Sequence, residues 1–205
     1  MTPIQGLTFS YGKKKIFENL DVEIRDKFSI IKGPSGCGKT TLLKLLTGNL
    51  IPFNSDKELV PLTKKSLIVQ EDALFPWMTG IENIKKIVNV TEEEITTHPL
   101  YQKISPYINQ YAYQMSYGQR RMIELFRVIL FKPKLLCLDE PFNFLDPTNR
   151  KLMIEYILNE VTPHTTVVMT THYSEDTTGF NLPTLYFDGQ FPVTRLLTEH
   201  EFKKL

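Results

Sequence analysis

The sequence predicts an α/β domain: a mostly parallel sheet, an antiparallel β subdomain at the N-terminus and a small helical insert. Three observations carry this expectation. From residue 28 onward, short apolar strands alternate with helical stretches, the pattern of a parallel sheet covered on both faces. The first 24 residues read instead as two strands around a glycine-containing turn. A Gly-rich loop, Gly33-Pro34-Ser35-Gly36-Cys37-Gly38-Lys39-Thr40, stands between a buried strand and a helix.

Taken in order, Ile4–Phe9 and Ile16–Ile24 alternate or run apolar around Tyr11-Gly12-Lys13 and predict a hairpin. Lys13, Lys14 and Lys15 then form a solvated tip. Phe28–Ile31 is a short buried strand that runs straight into Gly33. From Lys39 to Gly48, Leu42, Leu43, Leu45 and Leu46 recur at helical spacing, and Gly48 suits the C-terminal cap. Ser66–Val69 reads as another buried strand. From about Thr79 to Tyr117 the pattern is helical but loose, broken by Pro99 and Pro106. This stretch, 79–117, is the expected insert within a single domain spanning 1–205. Helix Gln119–Phe131, strand Leu135–Leu138, helix Pro147–Val161 and strand Thr166–Met169 complete the alternation.

Composition narrows the function. Lys plus Arg (24) nearly cancels Asp plus Glu (23), for a net charge of +1. That balance offers no basis for nucleic-acid binding or for broad attraction to a membrane surface. Cys37 sits in the Gly-rich loop and Cys137 in an apolar strand, so both are expected to be reduced thiols in a cytosolic fold. A basic leader followed by an apolar stretch is absent, and no apolar run is long enough to cross a bilayer. Any membrane part would come from another chain. The sequon Asn89-Val90-Thr91 is then a chance match.

The Gly-rich loop has the pattern G-x-x-x-x-G-K-[ST]. Its glycines let successive backbone N–H groups turn toward phosphate oxygens, and the following helix adds its positive end. Lys39 would reach the β- and γ-phosphates, and the Thr40 hydroxyl would ligate Mg²⁺; Thr41 adjoins the loop. The expected core is therefore that of a P-loop NTPase. Lys134–Leu138 is an apolar strand ending in Asp139 and Glu140. Asp139 supplies the Mg²⁺-side carboxylate expected of such enzymes, and Glu140 is placed to polarise a water for in-line attack on the γ-phosphate. The adjacent pair of acids argues for an ATPase and against a simple GTP switch.

With these elements in place, the chain resembles the ATP-binding subunits of ABC transporters, over nearly its whole length and in the expected order. Tyr11, within Phe9-Ser10-Tyr11-Gly12, matches the aromatic that stacks on adenine. Gln70 matches the glutamine that contacts Mg²⁺ and the attacking water. Met115-Ser116-Tyr117-Gly118-Gln119 looks like the family signature LSGGQ, which in the family closes over the ATP held by the other subunit. Asn143-Phe144-Leu145-Asp146 stands where the family carries its D-loop, and His172 matches the switch histidine of the γ-phosphate. Taken alone, each has a plainer reading: Tyr11 as a hairpin aromatic, Gln70 as a polar strand end, His172 as a structural histidine, Ser116 and Gly118 as a cap and turn.

Two departures stand out. Tyr117 replaces the first signature glycine, and Ile123-Glu124-Leu125-Phe126 precedes Arg127 where the family commonly has small residues. The second implies altered helix packing without lost chemistry. The resemblance implies ATP and Mg²⁺ as ligands and an ATP sandwich formed by a homodimer or by pairing with a related subunit. It also implies transmembrane permease partners and a place on the cytoplasmic face of the membrane. The run Gln70–Thr79 is similar to that of nitrate, taurine and sulfonate importers, which points to import of a small anion-like solute. There, Phe75, Trp77 and Met78 would form an exposed apolar cluster for a permease segment, against the plainer reading of a buried Trp77. A soluble ABC-type ATPase in an assembly or regulatory module, and an exporter ATPase, are the alternatives.

Overall fold

The computed structural model describes residues 4–24, 27–52, 59–172 and 182–204. Strands β1 (Ile4–Tyr11) and β2 (Lys14–Val22) pair antiparallel across Gly12, two residues longer at the turn than the alternation implied. The second sheet contains β3 (Phe28–Lys32), β4 (Lys65–Ile68), β5 (Leu135–Asp139), β6 (Thr166–Thr170), β7 (Thr184–Tyr186) and β8 (Leu197–Thr198). Its order is β4-β5-β6-β3-β7-β8, parallel throughout except for the β7–β8 pair. The expected α/β class, with its N-terminal antiparallel unit, is what the chain adopts.

Apolar residues of the central strands divide between two cores with the period-two alternation of a pleated sheet. Leu135 and Cys137 of β5 and Val168 of β6 face the hairpin and helix α1 (Lys39–Thr47). Leu136, Leu138, Val167 and Met169 face the opposite way, toward α5 (Tyr117–Phe131) and α6 (Pro147–Tyr156). Helices on both faces explain why these strands run almost wholly apolar.

Helices α2 (Gly80–Ile87), α3 (Glu92–Thr96) and α4 (Tyr101–Ile104) fill the loosely patterned stretch, followed by a single tight turn at Ala112–Gln114. Thr79 and Thr91 each form a reciprocal capping box, with Glu82 and Glu94 respectively, which starts two of these short helices despite their weak periodicity. Ile84, Ile95, Ile104 and Ile108 pack from this region into the same core as α5.

Two helix boundaries differ from expectation. α5 begins at Tyr117, two residues before the expected Gln119, because Ser116 as N-cap and Gln119 form a capping box that starts the helix there. The helix expected over 147–161 is α-helical only to Tyr156; Ile157–Val161 widens to i→i+5 bonding, such as Thr162 N–H to Ile157 carbonyl. Pro163, which has no N–H, ends it. Short elements after residue 182, including α7 (Glu199–Phe202), carry too few residues for periodicity to reveal.

Candidate nucleotide and hydrolysis site

The Gly-rich loop joins β3 to α1. Gly38 holds φ 103°, and a Cβ there would lie 3.0 Å from Ile16 and 3.2 Å from the Phe17 ring. Glycine thus lets the loop turn sharply beneath the hairpin while aiming backbone N–H groups at the mouth of α1. Lys39 is almost wholly buried, and its ammonium donates to the carbonyls of Gly33 and Pro34, both at 2.9 Å. Thr41 is buried in α1, and Ser35 and Gly36 lie at the exposed rim. Cys37 packs inward, its thiol pushed up in pKa by burial, so it contributes backbone and packing rather than a nucleophile. Burial likewise pushes the Cys137 thiol up.

Asp139 ends β5 within reach of this loop. One carboxylate oxygen accepts from the Thr40 hydroxyl (2.5 Å), and the other from the Thr170 hydroxyl (2.5 Å). Glu140 follows with φ 49°, a left-handed conformation unusual for a residue with a side chain. Its Oε1 lies 2.6 Å from His172 Nε2, and its Oε2 accepts from Asn143 Nδ2 at 2.9 Å. The loop, Thr40, Asp139, Glu140 and His172 therefore form one continuous set of contacts.

The donor chemistry at this point fits Mg²⁺. Thr40 and Asp139 offer hard oxygens, which suit an ion that keeps much of its shell from phosphates and water. Among the described residues, no group of three or more His, Cys, Asp or Glu could hold a metal on its own. Phosphate oxygens would have to complete the shell.

The remaining expected residues lie apart from this set. Tyr11 is exposed at the end of β1, its ring edge-on to Phe9 at 5.0 Å. Gln70 follows β4 and is exposed; its carbonyl accepts from Arg121 at 2.7 Å. Ser116 caps α5, its hydroxyl oxygen accepting from Gln119 N–H at 3.2 Å and its N–H donating to Gln119 Oε1 at 2.8 Å. The first-turn N–H groups of Tyr117 and Gly118 lack intrahelical partners, which gives α5 an anion-attracting end. Asp146 caps α6, accepting from the N–H groups of Thr148 and Asn149 at 3.0 Å; these backbone bonds hold its carboxyl below the usual range.

The two departures from the family pattern both have structural partners. The Tyr117 ring packs on Phe144 at 5.2 Å, and the Arg120 guanidinium lies over the Tyr117 ring, 4.3 Å from its centroid. Gly118 is required beside them, because a Cβ there would sit 2.7 Å from the Phe144 carbonyl oxygen. Glu124 is buried and paired with buried Arg121 at 2.8 Å, and it accepts from Ala73 N–H. Arg121 also donates to the carbonyls of Val69 and Gln70. Burial pushes the Glu124 carboxyl up in pKa, and Arg121 opposes that shift. The segment Val69–Ala73 is thus pinned to α5 by a buried ion pair.

Sequence reasoning missed Arg121, Glu124 and Thr170. A visible signal for the first two was an opposite-charge pair at i,i+3 inside an apolar helix pattern. For Thr170 it was a hydroxyl following the apolar run Val167-Val168-Met169.

Trp77 is 66% exposed and Tyr113 is 63% exposed, so the reading of Trp77 as a core residue does not hold. Trp77 packs on half-buried Phe75 at 5.7 Å, and Tyr113 stacks on Tyr111. The bond from Tyr113 N–H to the Pro76 carbonyl brings the two aromatic pairs side by side.

Residues 17–143 match the sequence profile of the family described as ABC transporter. The spermidine/putrescine import ATP-binding protein PotA of Pasteurella multocida is 38% identical over 167 residues, which is 73% of this chain and 45% of that protein. The chain thus spans less than half the length of that relative. The aliphatic sulfonates import ATP-binding protein SsuB of Bacillus subtilis is 30% identical over 177 residues, 78% of this chain and 68% of that protein. A bacterial Atm1-family ABC exporter with ATP bound has the same fold at a TM-score of 0.78 and 20% identity, over 95% of this chain and 37% of that one. With the Gly-rich loop and the paired acids on this fold, and with these matches, the chain belongs to the ABC transporter family as an ATP-binding domain.

Proposed function

We propose that the chain binds and hydrolyses Mg-ATP and drives an importer by pairing with a transmembrane permease. The single observation that carries this reading is the continuous contact set from Lys39 and Thr40 through Asp139 to Glu140 and His172. In this reading Lys39 exchanges the carbonyls of Gly33 and Pro34 for phosphate oxygens, and Tyr11 stacks on the base. The loop from Gly33 to Thr41 cradles the phosphates. Thr40 and Asp139 would hold the Mg²⁺, and Gln70, which lies apart from them, would have to close onto it; the ion would neutralise charge on the transferring phosphoryl group.

Glu140 takes a proton from the attacking water through Oε1. His172, half exposed, must leave that oxygen and turn to the γ-phosphate for the water to reach it. Ser116, Tyr117, Gly118 and Gln119 cover the ATP of a second subunit, with Ser116 donating its hydroxyl hydrogen and α5 presenting its first N–H groups. Asp146, by starting α6, fixes the segment from Asn143 that enters the subunit boundary. The partner is a second copy or a related subunit; nucleic acid has no place in this reading.

Import, rather than export, is supported by relatives named for import, PotA and SsuB. An anionic solute rests on the SsuB likeness alone, and the choice of solute belongs to the permease and its binding protein. Among the described residues no helix is long and apolar enough to cross a membrane; in this reading the permease is a partner chain. Exposed Trp77, backed by half-buried Phe75, and the exposed pair Tyr111–Tyr113 are the surface offered to it, at the cytoplasmic face.

Replacing Glu140 by Gln tests the hydrolytic core. Turnover, read as phosphate release, should fall by about 10²–10⁴-fold while ATP binding persists and ATP-held dimers accumulate. A variant within about threefold of the parent would remove Glu140 from the role of base.

A further inference from the structure

We infer that Thr170 is a positioning residue for hydrolysis, its one hydroxyl setting the places of both Asp139 and Glu140. This rests on the ATPase reading above. β5 and β6 are parallel neighbours, and Asp139 stands opposite Thr170 in register. Thr170 is wholly buried at the end of β6. Its hydroxyl donates to Asp139 Oδ1 at 2.5 Å and accepts from Glu140 N–H at 3.1 Å. The same N–H also lies 3.1 Å from the Thr170 carbonyl oxygen.

The consequences differ for the two acids. For Asp139, the Thr170 hydroxyl takes Oδ1 and leaves Oδ2 turned to Thr40, on the side of the phosphate loop. For Glu140, Thr170 secures a backbone at φ 49° that a non-glycine residue keeps only when its surroundings hold it. Asn143 then holds the far end of the side chain at Oε2, so Oε1 alone faces His172. A threonine that merely filled space would hydrogen-bond its own strand or nothing. This one bridges the last residue of the neighbouring strand and the residue that follows it, the two acids of the proposed chemistry.

Valine and serine separate the hydroxyl from the methyl. Thr170→Val keeps the branched shape and removes the bridge; Thr170→Ser keeps the bridge and drops the methyl. The measurements are steady-state ATPase, affinity for a fluorescent ATP analogue with Mg²⁺ present, and melting temperature. Thr170→Val should lower kcat by about 10–100-fold with KM and analogue affinity within about threefold of the parent, because small misplacements of reacting groups are costly. Thr170→Ser should stay within about threefold of the parent in kcat.

Parent-like turnover in Thr170→Val overturns the inference. So does a serine variant as slow as the valine one, which would assign the effect to packing. Loss of nucleotide affinity in step with kcat also overturns it. If the parent chain itself hydrolyses no ATP, the hydrolysis reading fails and the positioning role falls with it. A turning-over parent matched by Thr170→Val removes the positioning role alone.

Discussion

Replacing Glu124 by Ala should cost this domain more stability than almost any other single change on α5. The carboxylate is 3% exposed and its partner Arg121 is 4% exposed, so both charges lie out of water. After the substitution Arg121 keeps the carbonyls of Val69 and Gln70, at 2.9 and 2.7 Å, but loses its paired carboxylate. Ala73 N–H loses its acceptor at the same time. Breaking a buried pair from one side costs about 3–5 kcal/mol, because a desolvated charge remains uncompensated. Ala returns only a few tenths through helix propensity. For a chain of this size each kcal/mol moves the melting temperature by about 2–4 °C, so a drop of roughly 10 °C is expected. The assay is thermal unfolding followed by circular dichroism, for the parent, Glu124→Ala, Arg121→Met and the double variant. The double variant should lose less than the sum of the two single changes, since it removes both members of the pair. A melting temperature for Glu124→Ala within about 2 °C of the parent would refute the reasoning, as would strict additivity.

Two further outcomes follow from the same structure. Trp77→Ala should leave stability within about 0.5 kcal/mol, since the ring is mostly exposed, yet sharply reduce co-purification with a membrane permease; a core-like loss of about 3–5 kcal/mol would contradict the surface reading. His98 accepts from Leu100 N–H at Nδ1 (3.2 Å), lies 3.2 Å from the Tyr156 hydroxyl through Nε2 and packs edge-on to Phe126, and burial pushes its pKa down, with Lys132 adding to the shift. A base with a depressed folded pKa contributes stability above its unfolded pKa that is lost as the pH falls toward the folded one. The melting temperature should therefore decline as the pH drops below about 6.5, and His98→Gln should flatten that part of the profile in parallel melts.

Much of the fold and of the chemistry was legible along the chain, because it rests on contiguous residues. A Gly-rich loop, an apolar strand ending in Asp139-Glu140 and leucines at helical spacing each carry their own local physics. Neighbours along the chain suffice to shape a turn, a strand or a helix. Even the cap of α5 was written there as Ser116-x-x-Gln119, although the helix was expected to start two residues later.

What only tertiary structure decided lies between segments far apart in sequence. Thr170 meets Asp139 because β5 and β6 are neighbours in one register, 31 residues apart along the chain. Glu124 meets Ala73 across 51 residues, turning an apparent packing oddity into a buried ion pair that holds the Gln70 segment. Trp77 could have been core or surface by composition, and the packing of the helical region against α5 left it outside. Hydrogen bonds and burial depend on which surfaces come together in space, and local sequence does not encode that distance.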